Sequence, residues 1–358
     1  MTNRIETMRP WQIVGNDRDR WCALVKTGKY YSPLCHPDFV SAVSGVRSDV
    51  EVLVAHDREG RMAFLPFHRR PFGLARPIGA VFSDYHGLLA EPGFSRKPEH
   101  LLRDAGLRSY PHFARFTDSA EETSLRGLRS ESGQGKAPLE MFEQDHARKA
   151  KQLRRLRRKL EREHGKMTLT IGDPDPVAFD LVMGWKRRQL AASRRHDVLR
   201  PAWVTSLMVR LHREGQGEIS GCLVTLRAGS TPIAAEFGPR WSGVFHPWIA
   251  AYDPAFAQYS PGHLLVMNLL GDMQRAGLDR YDLGHDDAPY KAMFANSELP
   301  LKAGTWRADG SSTRAVHKPG LAGKISRRFE QVRLAEVHMA GLLAGVANAA
   351  RASLQGGE

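Results

Sequence analysis

Apolar and polar residues alternate most clearly in two stretches far apart along the chain. "VEVLVAHDREGRMAFLPFHRR" (50–70) predicts a strand, a turn over 57–60 and a second strand, and "GCLVTLRAGSTPIAAEFGPR" (221–240) predicts the same plan around a turn at 228–230. Two hairpins of similar length in different halves reflect either a duplicated domain or the frequency of hairpins in general. "GVFHPWIAAYD" (243–253) predicts a further strand. After it, Val266, Leu269, Leu270 and Met273 fall at the i, i+3, i+4, i+7 spacing of a helix face. Pro261 and Gly262 stand at the start of that helix, where a missing N–H costs nothing and the free donors of the first turn can hold an anion. Strand, turn and exposed helix start together predict a phosphate cradle.

Other periodic stretches fill in an α+β order. Helical patterns over 99–110, 175–193 and 200–215 alternate with short strands near 112–116 and 278–284, and Gly215 supplies a C-cap. "SESGQGKAP" (130–138) has the composition of a linker. The expected organisation is a first domain over 1–140, a second over 141–307 and an Ala-rich helical extension over 308–358 that packs on the body or on a partner.

Composition narrows the class. With 358 residues, 42% apolar and 25% charged, the chain suits two ordinary globular domains. Its net charge of +13 is concentrated: residues 148–166 hold ten Lys or Arg against two Glu, with Leu153, Leu156 and Leu160 at helical spacing. This predicts an amphipathic helix whose cationic face either solvates a connecting element or meets a polyanion, such as tRNA or an anionic membrane surface. Cys22, Cys35 and Cys222 are too few and too scattered for a disulfide framework or a zinc site, so no metal is expected. Without a signal-peptide core or an apolar run of about 18 residues, the expectation is a protein that does not cross the membrane, in the cytoplasm or at the inner face of the cell membrane.

"FSDYHG" (82–87), "AYDPAFAQYSPG" (251–262) and "YDLGHDDAPYKAMF" (281–294), in this order with the basic helix between the first two, resemble the bacterial GNAT-type acyltransferases of the CelD or BcsL family, relatives of the FemAB-like aminoacyl transferases. The resemblance covers roughly residues 32–304 and is strongest in the second half. It implies tandem GNAT-like (FemAB-like) domains with mixed central sheets and flanking helices, the second holding the acyl donor. It also implies acyl-CoA as co-substrate, with no permanently bound cofactor. Gln258, Tyr259, Ser260, Pro261, Gly262 and His263 occupy the place of the donor cradle, although only Gln258 and Gly262 approximate the usual Gly-x-Gly loop with its nearby Arg or Gln. An acyl carrier protein or an aminoacyl-tRNA is the alternative donor.

Acyl transfer needs a base for the attacking amine or hydroxyl and an acid for the leaving thiolate. The base candidates are Asp84, His86, Asp253 and Asp286; Tyr290 is the preferred acid, and Lys291 would bind an anionic acceptor or the donor phosphate. Asp253 before Pro254 is equally a turn starter, and Asp84 beside Gly87 could be one. Glu236 faces the expected cleft and either serves the site or forms an ion pair. Trp185, Lys186 and Arg188 read as a packed helix before a sugar platform. The acceptor expected is an amino sugar or glycan intermediate of envelope or exopolysaccharide synthesis. A non-catalytic alternative is a cyclic di-GMP effector using the arginines of 154–158 with Arg327 and Arg328.

Overall fold

The computed structural model describes residues 4–314 except 27, 117–124, 133–136, 194, 286–287 and 312, and beyond these only 329, 332, 334–337, 341–343 and 345–347. In chain order the first elements are β1 (Arg4–Met8), α1 (Gly15–Val25), α2 (Pro37–Ser44), β2 (Val50–His56), β3 (Met62–Arg70), β4 (Leu74–Pro77), β5 (Leu89–Ala90), α3 (Pro98–Asp104) and β6 (Ser109–Phe116). Then follow β7 (Leu125–Glu131), α4 (Pro138–Asp145), α5 (Ala147–His164), β8 (Met167–Ile171), α6 (Pro176–Ala192), α7 (Ala202–Arg213), β9 (Ser220–Ala228) and β10 (Thr231–Trp241). The last are β11 (Val244–Phe245), β12 (Ile249–Tyr252), α8 (Pro261–Asp272), β13 (Arg280–His285), α9 (Pro289–Phe294), β14 (Ser297–Arg307) and β15 (Thr313–Arg314).

The chain forms two compact units that interleave in sequence. The first comprises 1–126, 200–207 and 300–358, and the second comprises 127–199 and 208–299. In the first, the strand order is β1-β2-β3-β4-β6, and residues 301–307 of β14 pair with β6. Its core gathers Leu53, Leu65, Phe67, Leu101, Leu102, Tyr110 and Trp306. Of the expected C-terminal extension, Val332 and Ala335 are buried in this unit; the Trp203 indole donates to the Ala335 carbonyl at 3.1 Å, and Arg200 pairs with Glu336 at 2.6 Å.

In the second unit the order is β7-β13-β11-β10-β9-β8, with β12 also on β10. Every neighbouring pair on this path is antiparallel except β11–β13. Val224 and Leu226 of β9, Ala234 of β10 and Phe245 of β11 point toward α8, whose Leu264, Leu265, Leu269 and Leu270 complete the core. Ala150, Leu153 and Leu160 sink α5 into the same core; full burial of each Leu contributes about 2 kcal/mol. The two predicted hairpins are thus β2–β3 and β9–β10, one in each unit.

The segment read as one strand over 243–253 is divided. Arg240 pairs with Phe245, but Phe237 pairs with Ile249, so one extra residue lies between β11 and β12. Such a bulge bends its strand and ends pairing on the far side. Gly238 permits it, because a Cβ there would lie 2.0 Å from the His246 carbonyl oxygen and 2.8 Å from the Trp248 nitrogen.

Candidate active site

The consequence of the bulge is a cleft. β11 and β13 run parallel and pair only at Val244–Arg280 and Phe245–Tyr281; beyond those two pairs β12 stays on β10 and no longer meets β13. β13 itself bulges between Asp282 and Gly284, turning toward β7. The two irregularities meet at the vertex. The fully buried Asp282 carboxylate lies 3.5 Å from His246 Nδ1 and 3.3 Å from Arg129 Nε, and it accepts the Gly284 N–H at 3.0 Å.

On the opposite face of the sheet stands Glu236, paired across the strands with Val224 and Ala250. Its carboxylate accepts the Tyr281 hydroxyl at 2.8 Å. Burial pushes Glu236 up to about 7, against the Tyr281 hydrogen bond and the ammonium groups of Lys291 and Lys186, which hold it from going further. Burial and the neighbouring Glu236 charge raise Tyr281 well above the usual phenol range, so it remains a donor. Lys186, on α6, also reaches the Ala250 carbonyl at 3.4 Å.

The predicted residues fall around this pair unevenly. Tyr290 and Lys291 lie in the first turn of α9, with Tyr290 electrostatically coupled to Tyr281 and Lys291 to Glu236. The His263 ring lies 6.4 Å from that of Tyr290, and its buried Nδ1 has no hydrogen-bond partner among the described residues. Burial and the Lys149 charge keep His263 below its ordinary value, so it is neutral.

At the helix start, Ser260 adopts a left-handed backbone with φ 54°, Pro261 takes the first position, and the first intrahelical bond runs from Leu264 N–H to the Ser260 carbonyl at 3.1 Å. The N–H groups of Gly262 and His263 therefore precede the ladder. A Cβ on Gly262 would meet only Tyr252 Cδ1, at 3.9 Å. Nothing inside the protein requires glycine there, and its bareness leaves room for a ligand to approach the backbone.

The remaining candidates have local duties. Gln258 is exposed on the 3-10 turn Pro254–Tyr259. Tyr259 is buried, with its hydroxyl bonded to Glu163 and, at 3.1 Å, to His164, so it anchors the turn to α5 instead of facing the cradle. Asp253 caps the 3-10 turn by accepting the Ala255 N–H at 3.0 Å. Asp84 and His86 belong to the first unit, where His86 Nδ1 meets the Ser83 carbonyl of its own loop at 3.1 Å. Asp286, Arg327 and Arg328 lie outside the described residues. A cavity of about 180 Å³ lined by Leu169, Ile171, Asp272, Arg275 and Ala276 opens at the far end of α8, away from these groups.

The mixed sheet thus splits after two parallel residue pairs, with a bare helix start beside the split. Residues 147–292 match the acetyltransferase (GNAT) domain family. Apart from residues 200–207, the stretch that matches this acyltransferase family lies in the second unit. FemX is similar in fold at 10% identity and a TM-score of 0.52, over 83% of this chain and 95% of FemX. The tandem GNAT protein of the clavulanic acid biosynthesis pathway is similar at 12% identity and a TM-score of 0.47, over 89% of this chain and all of its own. No curated protein sequence matches the chain. Among the described residues, no helix is long and apolar enough to cross a membrane and no cluster of side chains could hold a metal ion.

Proposed function

We propose that the protein transfers an acyl group, acetyl from acetyl-CoA, to the amine of an amino sugar or glycan intermediate of envelope or exopolysaccharide synthesis. The observation that carries this reading is Glu236, a buried carboxylate with its pKa near neutrality at the floor of the split sheet. A base so tuned accepts a proton from an amine under physiological conditions; a sugar hydroxyl is far too weak an acid to be ionised by it beforehand, which favours N- over O-acylation.

In this reading the donor runs through the gap between β12 and β13, with its pyrophosphate at the N–H groups of Gly262 and His263 and the Tyr252 ring alongside. Unpaired backbone N–H groups along the open edge of β12 polarise the thioester carbonyl. The amine nitrogen attacks the carbonyl carbon, the C–S bond breaks, the nitrogen's proton passes to Glu236, and the thiolate takes a proton from Tyr290.

Donor and acceptor profiling tests the assignment. The purified full chain is incubated with acetyl-CoA, longer acyl-CoAs, an acylated carrier protein and charged tRNA, each with a panel of amino sugars, and products are read by mass spectrometry. Acyl-CoA-dependent N-acylation is expected. Turnover with charged tRNA alone would overturn it.

A further inference from the structure

We propose that the outward face of α5 docks this protein on an anionic membrane surface by electrostatics alone. At 100° per residue, Arg148, Lys151, Arg155, Arg158 and Arg162 fall within about 80° of arc and form a single row about 21 Å long. All five are exposed. The row stands opposite Ala150, Leu153 and Leu160, which are fully buried. No carboxylate among the described residues lies within ion-pair distance of any of the five; the carboxylates near the helix are drawn to its flanks, where Arg154 pairs with Glu143 at 2.5 Å and Arg157 with Glu161 at 3.1 Å. A row of cations left unneutralised in this way maintains an outward positive potential.

The shape of the face selects the partner. One side of the helix is sunk in the core, so a convex ridge emerges that can lie along a plane over its whole row. Gln152 and Lys159, beside the row, are polar, and no aromatic side chain lies on it to stack a base. No apolar wedge is present to insert into acyl chains either. Four of the five cations are arginines, whose planar forks suit lipid phosphates. Helix α5 also holds the donor site in place, through Glu163 and His164 on Tyr259 and through Arg157 on Asn268 at 3.3 Å. Adsorption would therefore present the transferase to acceptors carried at a membrane surface.

Vesicle co-sedimentation of the full chain tests the proposal. With vesicles of phosphatidylcholine containing about 30% phosphatidylglycerol at low salt, the protein should pellet, and it should stay in solution with phosphatidylcholine alone or at high salt. Each cation contributes about fivefold to such partitioning, so R148Q/R155Q/R158Q/R162Q should weaken it several hundredfold. The same four positions changed to Lys should restore it, and acyl-CoA affinity should be unchanged in both variants, which separates this result from any failure of the donor site. Absence of the parent from the pellet at low salt, equal binding by the Gln variant, or tRNA binding tighter than vesicle binding and lost in that variant would overturn the assignment.

Discussion

Glu236 sits where a carboxylate is expensive, and that expense is testable from two sides. In its proposed role as base it must be ionised, so kcat/KM should rise with pH through about 7 and level off above it. Glu236→Gln should lower kcat by about 10²–10⁴-fold and remove that limb from the pH–rate profile. Stability should move the other way. The folded pKa lies above the ordinary value of 4.5, so the folded state binds the proton more tightly; stability is full below about 4.5 and falls by about 3 kcal/mol as pH rises through 7. Gln stays neutral and still accepts from Tyr281. The variant should therefore match the parent in urea denaturation at about pH 4 and exceed it at about pH 8. In the proposed mechanism Tyr290, half-buried beside this pair, acts only as the thiolate leaves. Tyr290→Phe should cost about a hundredfold in kcat while calorimetry finds donor affinity unchanged.

At the scale of elements, the proposed function assigns the donor to the helix start and its entry to the bulge. Gly262→Glu adds bulk and negative charge where only Tyr252 lies within 4 Å, so the fold should persist, with the melting temperature within a few degrees, while acyl-CoA affinity falls more than about tenfold. The Pro-Gly start and the apolar spacing of α8 were legible because helix patterns are local. The break between β11 and β12 was not: residues 243–253 are apolar enough to read as one strand, and the extra residue is imposed by pairing with β10 and by the missing Cβ of Gly238. Glu236 was legible only as a residue facing a cleft. Its burial, and the opposing Lys186 and Lys291 some fifty residues away on either side, are tertiary facts. Asp253 shows the reverse case, a carboxylate before proline whose capping duty follows from its nearest neighbours.

For the whole molecule, the sequence suggested successive domains divided at 140, whereas the compact units interleave and the second begins at 127. A linker composition marks where the chain is polar, not where contacts cease. A fragment of residues 141–307 would lose β7, which pairs with β13, and with it Arg129, a buried partner of Asp282. Its circular dichroism should show no cooperative melt, because β13 loses its edge partner and stripping the cationic partner from a buried carboxylate costs about 3–5 kcal/mol; starting at 125 restores both partners of β13. The split between β12 and β13 has a last consequence. A sheet parted after two pairs is an unfinished ladder, and a donor whose amides bridge the gap would act as its missing rungs. Heat resistance should then depend on occupancy: calorimetric scans should show the unfolding temperature climbing steadily with the logarithm of acetyl-CoA concentration, with about 2.7 kcal/mol gained at a hundredfold excess over Kd.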